Sequence, residues 1–346
     1  MPPAVRLAVI GAGLIGQRHI QHILAEPGTA LAAIVDPAAA APALAARAGA
    51  PWFATIADML AAVPAPDGAI IATPNQLHVE HGLACIAGGV AMLVEKPIAD
   101  DVAAAARLVA AAEAAGLPLL VGHHRRHNPL ITAARQAIAD GRLGRVTAVH
   151  GTCWLAKPAE YFEVPWRRAQ GAGPILINLI HDIDLLRHLC GDIVSVQAFA
   201  SNAMRGHEVE ETAVILMRFA GGALGTLTVS DTTVAPWSWE FTSGENPAYT
   251  HTAETCYMIG GTRGALAIPS LDLWHHDARP DWFTPLQRVR LPAARQDPLV
   301  LQIRNFCAVI RGEAAPVVSG RDGLDTLRVI AAIQRAIASG GAATPE

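Results

Sequence analysis

The run Val5-Arg6-Leu7-Ala8-Val9-Ile10 leads straight into Gly11-Ala12-Gly13-Leu14-Ile15-Gly16, and a helix is predicted over residues 15–24. Strand, G-x-G-x-x-G turn and helix in this order form the first half of a βαβ unit suited to a dinucleotide. Each glycine has its own task. Gly11 permits the tight turn, Gly13 lets the backbone approach a pyrophosphate, and Gly16 lets helix and strand pack closely. Leu14 and Ile15 open a helix whose first N–H groups and positive dipole end suit phosphate. The next strand, residues 30–35, ends in Asp36, twenty residues after Gly16, where an acid binds a ribose 2′-hydroxyl. Pro37 and Ala38 follow, with no Arg or Ser to hold a 2′-phosphate, so the pattern favours NAD over NADP.

The alternation continues with strands at residues 52–53, 69–72, 90–94 and 117–121, and helices at 38–48, 56–62, 77–87 and 102–115. Strands alternating with helices predict a parallel, doubly wound Rossmann sheet over residues 1–121. Three polar stops fall at carboxyl ends of strands: the glycine loop, Thr73-Pro74-Asn75, and Glu95-Lys96-Pro97. They are expected on one edge of the sheet, where open α/β sheets bind ligands. Lys96 is well placed there for chemistry, although taken alone it reads equally as a surface lysine.

After Val121 the pattern changes. Gly122-His123-His124-Arg125-Arg126-His127-Asn128 is a polar cluster, and Pro129 starts a helix to about residue 140. Period-two runs follow at residues 146–154, 194–200, 212–219 and 223–232, with shorter strands at 256–259, 265–268, 271–275 and 287–291. They predict a second, α+β domain over residues 122–346, built on a mostly antiparallel open sheet. One long helix, 176–189, interrupts it; two more close the chain at about 298–311 and 324–337, with a frayed tail from 340. Trp237, Trp239 and the loop 245–249 read as an oligomer interface or as cover for a sugar ring.

The 346 residues carry a net charge of −4 with no block of like charge, which argues against nucleic-acid and anionic-membrane partners. No apolar run approaches the ~20 residues of a membrane span. Five scattered cysteines without a C-x-x-C pair argue against a disulfide framework or zinc site and point to a cytoplasmic protein. His181, Asp184 and His188 share helical spacing, but Asp184 is better read as orienting a histidine, and no metal is expected.

Together the glycine loop with Asp36, Ala72-Thr73-Pro74-Asn75 with His78, Glu95-Lys96-Pro97, Trp166-Arg167, and the segment from Gly171 to His181 resemble the glucose–fructose oxidoreductase, inositol dehydrogenase and rhizopine catabolism (Gfo/Idh/MocA) family over nearly the whole chain. The resemblance implies a bound nicotinamide cofactor, and a C-terminal sheet that forms a homodimer or homotetramer. It also implies Lys96 and His181 on either side of the reacting carbon. It places Gly11, Gly13, Leu14, Ile15, Gly16, Asp36, Thr73, Pro74, Asn75, His78, Glu95, Lys96, Arg125 and Trp166 at the cofactor, and Lys96, Arg167, Asn178 and His181 at the substrate. One departure stands out. Many of the family's dehydrogenases carry an aspartate four residues before the histidine; here Ile177 holds that place, beside Asn178.

The expected chemistry is hydride transfer between NAD and a secondary alcohol of a sugar, sugar derivative or cyclitol. His181 suits the proton acceptor because its ordinary pKa lies near neutrality; without the resemblance, a histidine on an apolar helix reads as a core residue. Lys96 either stabilises alkoxide charge or relays the proton. Two rivals remain open: bound NAD serving a net non-redox elimination or glycoside hydrolysis, and a non-catalytic cofactor or sugar sensor.

Overall fold

The computed structural model describes residues 3–62, 64–277 and 279–346. In chain order the elements begin β1 (Val5–Ile10), α1 (Leu14–Ala25), β2 (Thr29–Val35), α2 (Ala41–Ala48), β3 (Trp52–Phe53) and α3 (Ile56–Ala61). Then come β4 (Gly68–Ile71), α4 (His78–Ala87), β5 (Ala91–Val94), α5 (Val102–Ala114), β6 (Leu119–Val121) and α6 (Pro129–Ala139). The sheet-rich part runs β7 (Val146–Trp154), α7 (Ile180–Cys190), β8 (Ile193–Ser201), β9 (Thr212–Phe219), β10 (Leu224–Ser230), α8 (Trp239–Thr242), β11 (Tyr257–Gly261), β12 (Gly264–Ile268), β13 (Asp272–His275) and β14 (Gln287–Arg290). Helices α9 (Pro298–Ile310) and α10 (Gly320–Ser339) end it. The chain forms two compact units, Met1–His127 with Asp297–Leu327, and Asn128–Gln296 with Arg328–Glu346.

The first unit holds a six-stranded sheet in the order β3-β2-β1-β4-β5-β6. Its paired strands are parallel. That is the order of a doubly wound dinucleotide fold, whose switch point lies between the strands flanking the crossover, here β1 and β4. Strands β4 and β5 are buried along their whole length, as expected where helices cover both faces. Helix starts follow local chemistry. Asp101 caps α5, accepting from the Ala104 N–H at 2.7 Å. Asp297 caps α9 with Pro298 in its first turn.

The sequence assigned residues 297–327 to the second domain, whereas they pack in the first unit. The reason is apolar: Ile303, Phe306 and Cys307 of α9 join Leu7, Ile34, Ile70 and Leu93 in one buried cluster. A helix pattern shows that such a face exists but not which sheet it covers.

The second unit holds an eight-stranded sheet, β14-β13-β12-β11-β7-β10-β9-β8. Its pairs are antiparallel except β10 with β7. Ile131 of α6, Ile183 and Leu186 of α7, and Ile330 and Ile333 of α10 pack with Val149, Ile215, Met217 and Tyr257 of the sheet. Phe199, Val214, Leu216, Leu224 and Met258 are exposed instead. They alternate along their strands with buried residues, so they mark the sheet's uncovered face.

Three local expectations are corrected here. The helix carrying His181 begins as a π-helical turn, Ile175–Leu179, before α7 proper. The tail is not frayed throughout: Ala343 and Val196 exchange both backbone hydrogen bonds, at 2.9 and 2.8 Å. Trp239 is neither interface nor sugar cover. It lies in the core, stacked on Tyr257, with its indole N–H donating to Glu245.

Candidate active site

In the first unit the three polar strand ends follow β1, β4 and β5, neighbours in a parallel sheet, and so share its carboxyl edge. Gly11 has φ +93°, and a Cβ there would lie 2.7 Å from the Ala72 carbonyl carbon. A Cβ on Gly16 would strike the Gly11 carbonyl oxygen. Gly13 differs: its missing Cβ would meet nothing within 4 Å, so its side is open. Beyond it α1 starts with no side-chain cap and no acidic residue in its first turn. Exposed Leu14 and half-buried Ile15 stand beside those uncapped N–H groups. This cradle fits a pyrophosphate, which would accept from the N–H groups that no side chain serves.

Asp36, at the end of β2, accepts from the Ala12 N–H at 2.6 Å through one oxygen and from the Ala38 N–H at 2.8 Å through the other. Each oxygen keeps a lone pair, so the carboxylate can brace the glycine loop and still accept from ribose hydroxyls.

Thr73 and Asn75 are half-buried and Pro74 exposed after β4, and Asn75 opens a single 3₁₀ turn. His78 is fully buried, with Nδ1 2.8 Å from the Pro97 carbonyl oxygen and Nε2 2.9 Å from that of Thr73. Burial lowers its pKa against the pull of those carbonyls. It ties the β4 loop to the β5 loop, a bracing position at one remove from the edge.

Glu95 is likewise turned inward. It is buried, with Oε1 2.7 Å from Nε2 of the fully buried His19 on α1. Burial opposes its ionisation, but the His19 hydrogen bond and the surrounding positive charges prevail and hold the carboxyl below its usual range. Lys96 follows half-buried, before Pro97. Arg125, expected at the cofactor, is buried within the 3₁₀ turn His124–His127. His19 escaped the sequence reading; its one signal is a position three residues after Gly16, on the packed face of α1.

The second unit gathers the other candidates. His181 is buried in the first turn of α7, and its neighbour Asp182 accepts from the Tyr257 hydroxyl in the core. Asn178 and Ile177 are half-buried in the π turn. Trp166 is exposed, and the Arg167 guanidinium lies 4.2 Å from the Tyr161 ring centroid while donating to the Tyr161 carbonyl at 2.9 Å. Around them is a cluster no motif announced. Buried Asp231 pairs with Lys157 at 3.3 Å and with Arg205, and Glu210 accepts from the Ile175 N–H at 3.0 Å. Burial lowers the Lys157 pKa, against the attraction of Asp231. Among the described residues no group of three or more His, Cys, Asp or Glu is placed to hold a metal.

Two family models match this chain. "Oxidoreductase family, NAD-binding Rossmann fold" covers residues 5–123, and "GFO/IDH/MocA C-terminal domain" covers residues 131–267. The chain is 29% identical to 1,5-anhydro-D-fructose reductase of Ensifer adhaerens, over 99% of this chain and 98% of the relative. It is 29% identical to inositol 2-dehydrogenase of Rhizobium meliloti (strain 1021), over 96% and 97%. Among solved structures it superposes on the WlbA dehydrogenase of Bordetella pertussis, determined with NADH and UDP-GlcNAcA, with TM-score 0.79 and 26% identity over 99% of this chain and 98% of that one. With a glycine cradle and Asp36 arranged for a dinucleotide and both halves of the chain matched, this protein belongs to the GFO/IDH/MocA family of oxidoreductases and carries its NAD-binding Rossmann domain.

Proposed function

We propose that this oxidoreductase moves a hydride between NAD and a secondary alcohol of a sugar, sugar derivative or cyclitol. The observation that carries the reading is the shared sheet edge: an open, uncapped dinucleotide cradle at β1 and a lysine at the end of β5, two strands away. The names of the full-length relatives, an anhydrofructose reductase and an inositol dehydrogenase, support the substrate class.

In this reading NAD, when bound, supplies the hydride acceptor. The N–H groups at Gly13, Leu14, Ile15 and Gly16 hold the pyrophosphate, and Asp36 takes the adenosine ribose. The Asp36 charge disfavours a 2′-phosphate, hence NAD over NADP. Thr73, Pro74 and Asn75 line the cofactor, and Trp166 flanks the nicotinamide. His78 and Glu95 act on it through the loops they brace, and Arg125 supports the same edge. Arg167 and Asn178 bind substrate oxygens. His181 accepts the hydroxyl proton while the Lys96 ammonium stabilises charge growing on the oxygen, and a positioned base is worth roughly 10²–10⁴-fold. The uncovered face of the second sheet, with Phe199, Leu216 and Met258 exposed, suits a homodimer or homotetramer contact. A cytoplasmic location agrees with five cysteines that form no disulfide.

The test is NADH formation across a sugar and cyclitol panel. Lys96→Ala and His181→Ala should each lower kcat/KM by roughly 10²–10⁴-fold with NAD affinity retained. Wild-type turnover in either variant would remove that residue from the mechanism.

A further inference from the structure

Between β7 and the π turn the chain folds into two short 3₁₀ turns, Ala159–Glu163 and Pro165–Arg168. One carboxylate holds the start of this loop. Buried Asp231, just after β10, pairs with Lys157 at 3.3 Å through one oxygen and with Arg205 through the other. Arg205 packs over the Phe162 ring at 4.2 Å, and the Lys157 ammonium lies 4.9 Å from the Tyr161 ring centroid. Both of these cations therefore have a carboxylate partner.

Arg167 has none among the described residues. Its guanidinium lies against two rings, 4.2 Å from the Tyr161 centroid and 5.6 Å from that of Trp166, and Nη1 donates to the Tyr161 carbonyl at 2.9 Å. Nε is shielded from solvent and meets no acceptor among the described residues, while Nη2 is unbonded and open. The rings and the carbonyl fix the group without neutralising its charge. The same loop reaches the helix that carries His181 through Glu210. That carboxyl fills the space a Gly173 Cβ would need, accepts from the Ile175 N–H at 3.0 Å, and is close enough to feel the charges of Asp231 and Lys157.

A guanidinium held in place without a counter-ion is a ready fork for a planar anion. A carboxylate matches it in shape and in charge, with two oxygens for parallel N–H groups and one negative charge for one positive. A phosphate dianion would call on a second cation, and Lys157 and Arg205 are already engaged by Asp231.

We propose that Arg167 is a specificity-determining residue that binds a carboxylate borne by the substrate, so that the preferred substrates are polyhydroxy acids such as uronates. The inference rests on the oxidoreductase reading above, in which Arg167 meets substrate oxygens, and it narrows the substrate class. Tyr161 is the positioning residue, since its ring and its carbonyl both hold the guanidinium.

Paired substrates isolate the charge: D-glucuronate with D-glucose, and D-galacturonate with D-galactose. NADH formation by the wild-type protein should show kcat/KM roughly tenfold or more higher for the acid in at least one pair, chiefly through KM. Arg167→Gln should bring that ratio to within about threefold of one, with NAD affinity and melting temperature near wild type. Equal kcat/KM within both pairs of the wild-type protein, or a preference for the acid that survives Arg167→Gln, overturns the inference while the oxidoreductase reading stands. If none of the four compounds yields NADH although NAD binds, the sugar-oxidoreductase reading fails, and the role given to Arg167 fails with it.

Discussion

The pair His19–Glu95 joins the helix behind the glycine loop to the residue before Lys96, and it offers the sharpest stability test. In His19→Leu, Glu95 has two choices: remain ionised without its hydrogen bond, or take up a proton. Removing one partner of a buried pair costs about 3–5 kcal/mol. Protonating an ordinary carboxyl at pH 7 costs about 3.4 kcal/mol, from about 2.5 pH units at 1.36 kcal/mol each. Protonation therefore limits the loss to roughly 3 kcal/mol, or about 6–12 °C in the first unit's melting temperature. The pH dependence carries a sign. Glu95 has a depressed pKa in the folded state, so its contribution is complete above the ordinary value of 4.5 and is lost as pH falls through the folded value. A variant that folds with Glu95 protonated gains on wild type as pH falls from 7, by up to about 1.4 kcal/mol per unit. Denaturant unfolding at pH 7, 6 and 5 measures both the size and the slope. A double variant, His19→Leu with Glu95→Leu, should recover most of the loss, since an apolar pair of similar volume replaces a buried hydrogen-bonded pair at little cost. A pH 7 difference below about 1 kcal/mol, or one that stays flat down to pH 5, would refute this account of the pair.

Four further outcomes are expected. Gly13→Val should leave the melting temperature near wild type, because nothing opposes its Cβ, yet weaken NAD in a fluorescence titration by tenfold or more, roughly. Gly16→Ala should lower the melting temperature as well, since its Cβ runs into the Gly11 carbonyl. Asp36→Ala should weaken NAD far more than NADP in the same titration: loss of the Ala12 and Ala38 N–H bonds touches both cofactors alike, whereas the ribose acceptor serves NAD and its charge opposes the 2′-phosphate of NADP. Tyr257→Phe strips the buried Asp182 carboxylate of a hydroxyl donor and should cost about 1.5–3 kcal/mol in denaturant unfolding.

The first unit was the more legible half because its signals are local. Strand, glycine turn, helix and spaced acid lie within one βαβ unit, and the parallel order then brings Thr73 and Lys96 to the same edge. The tertiary layer was hidden. His78 and Glu95 were expected to face the cofactor because motifs record which residues recur at a loop, not which way they turn. Both are buried, one braced between carbonyls and the other against His19. Helix α9 showed an apolar face but not its destination, since periodicity has no term for sequence distance.

In the second unit a sequence names only neighbours on the helix that carries His181, at positions three and four apart. Glu210 is not on that helix. It arrives from the segment before β9, and its reach depends on a register set by β8 and β9 pairing, Ser201 opposite Thr212. The trace it leaves in the sequence is indirect, a glycine at 173 that reads as ordinary loop punctuation. A missing side chain is uninformative until the group occupying its space is known. At Gly13 that space is open, at Gly16 it holds the turn's own carbonyl, and at Gly173 it holds a carboxylate. The three glycines look alike in the chain, yet they predict three different phenotypes for the same substitution to alanine: weakened cofactor binding, weakened folding, and a displaced acid that frees the Ile175 N–H.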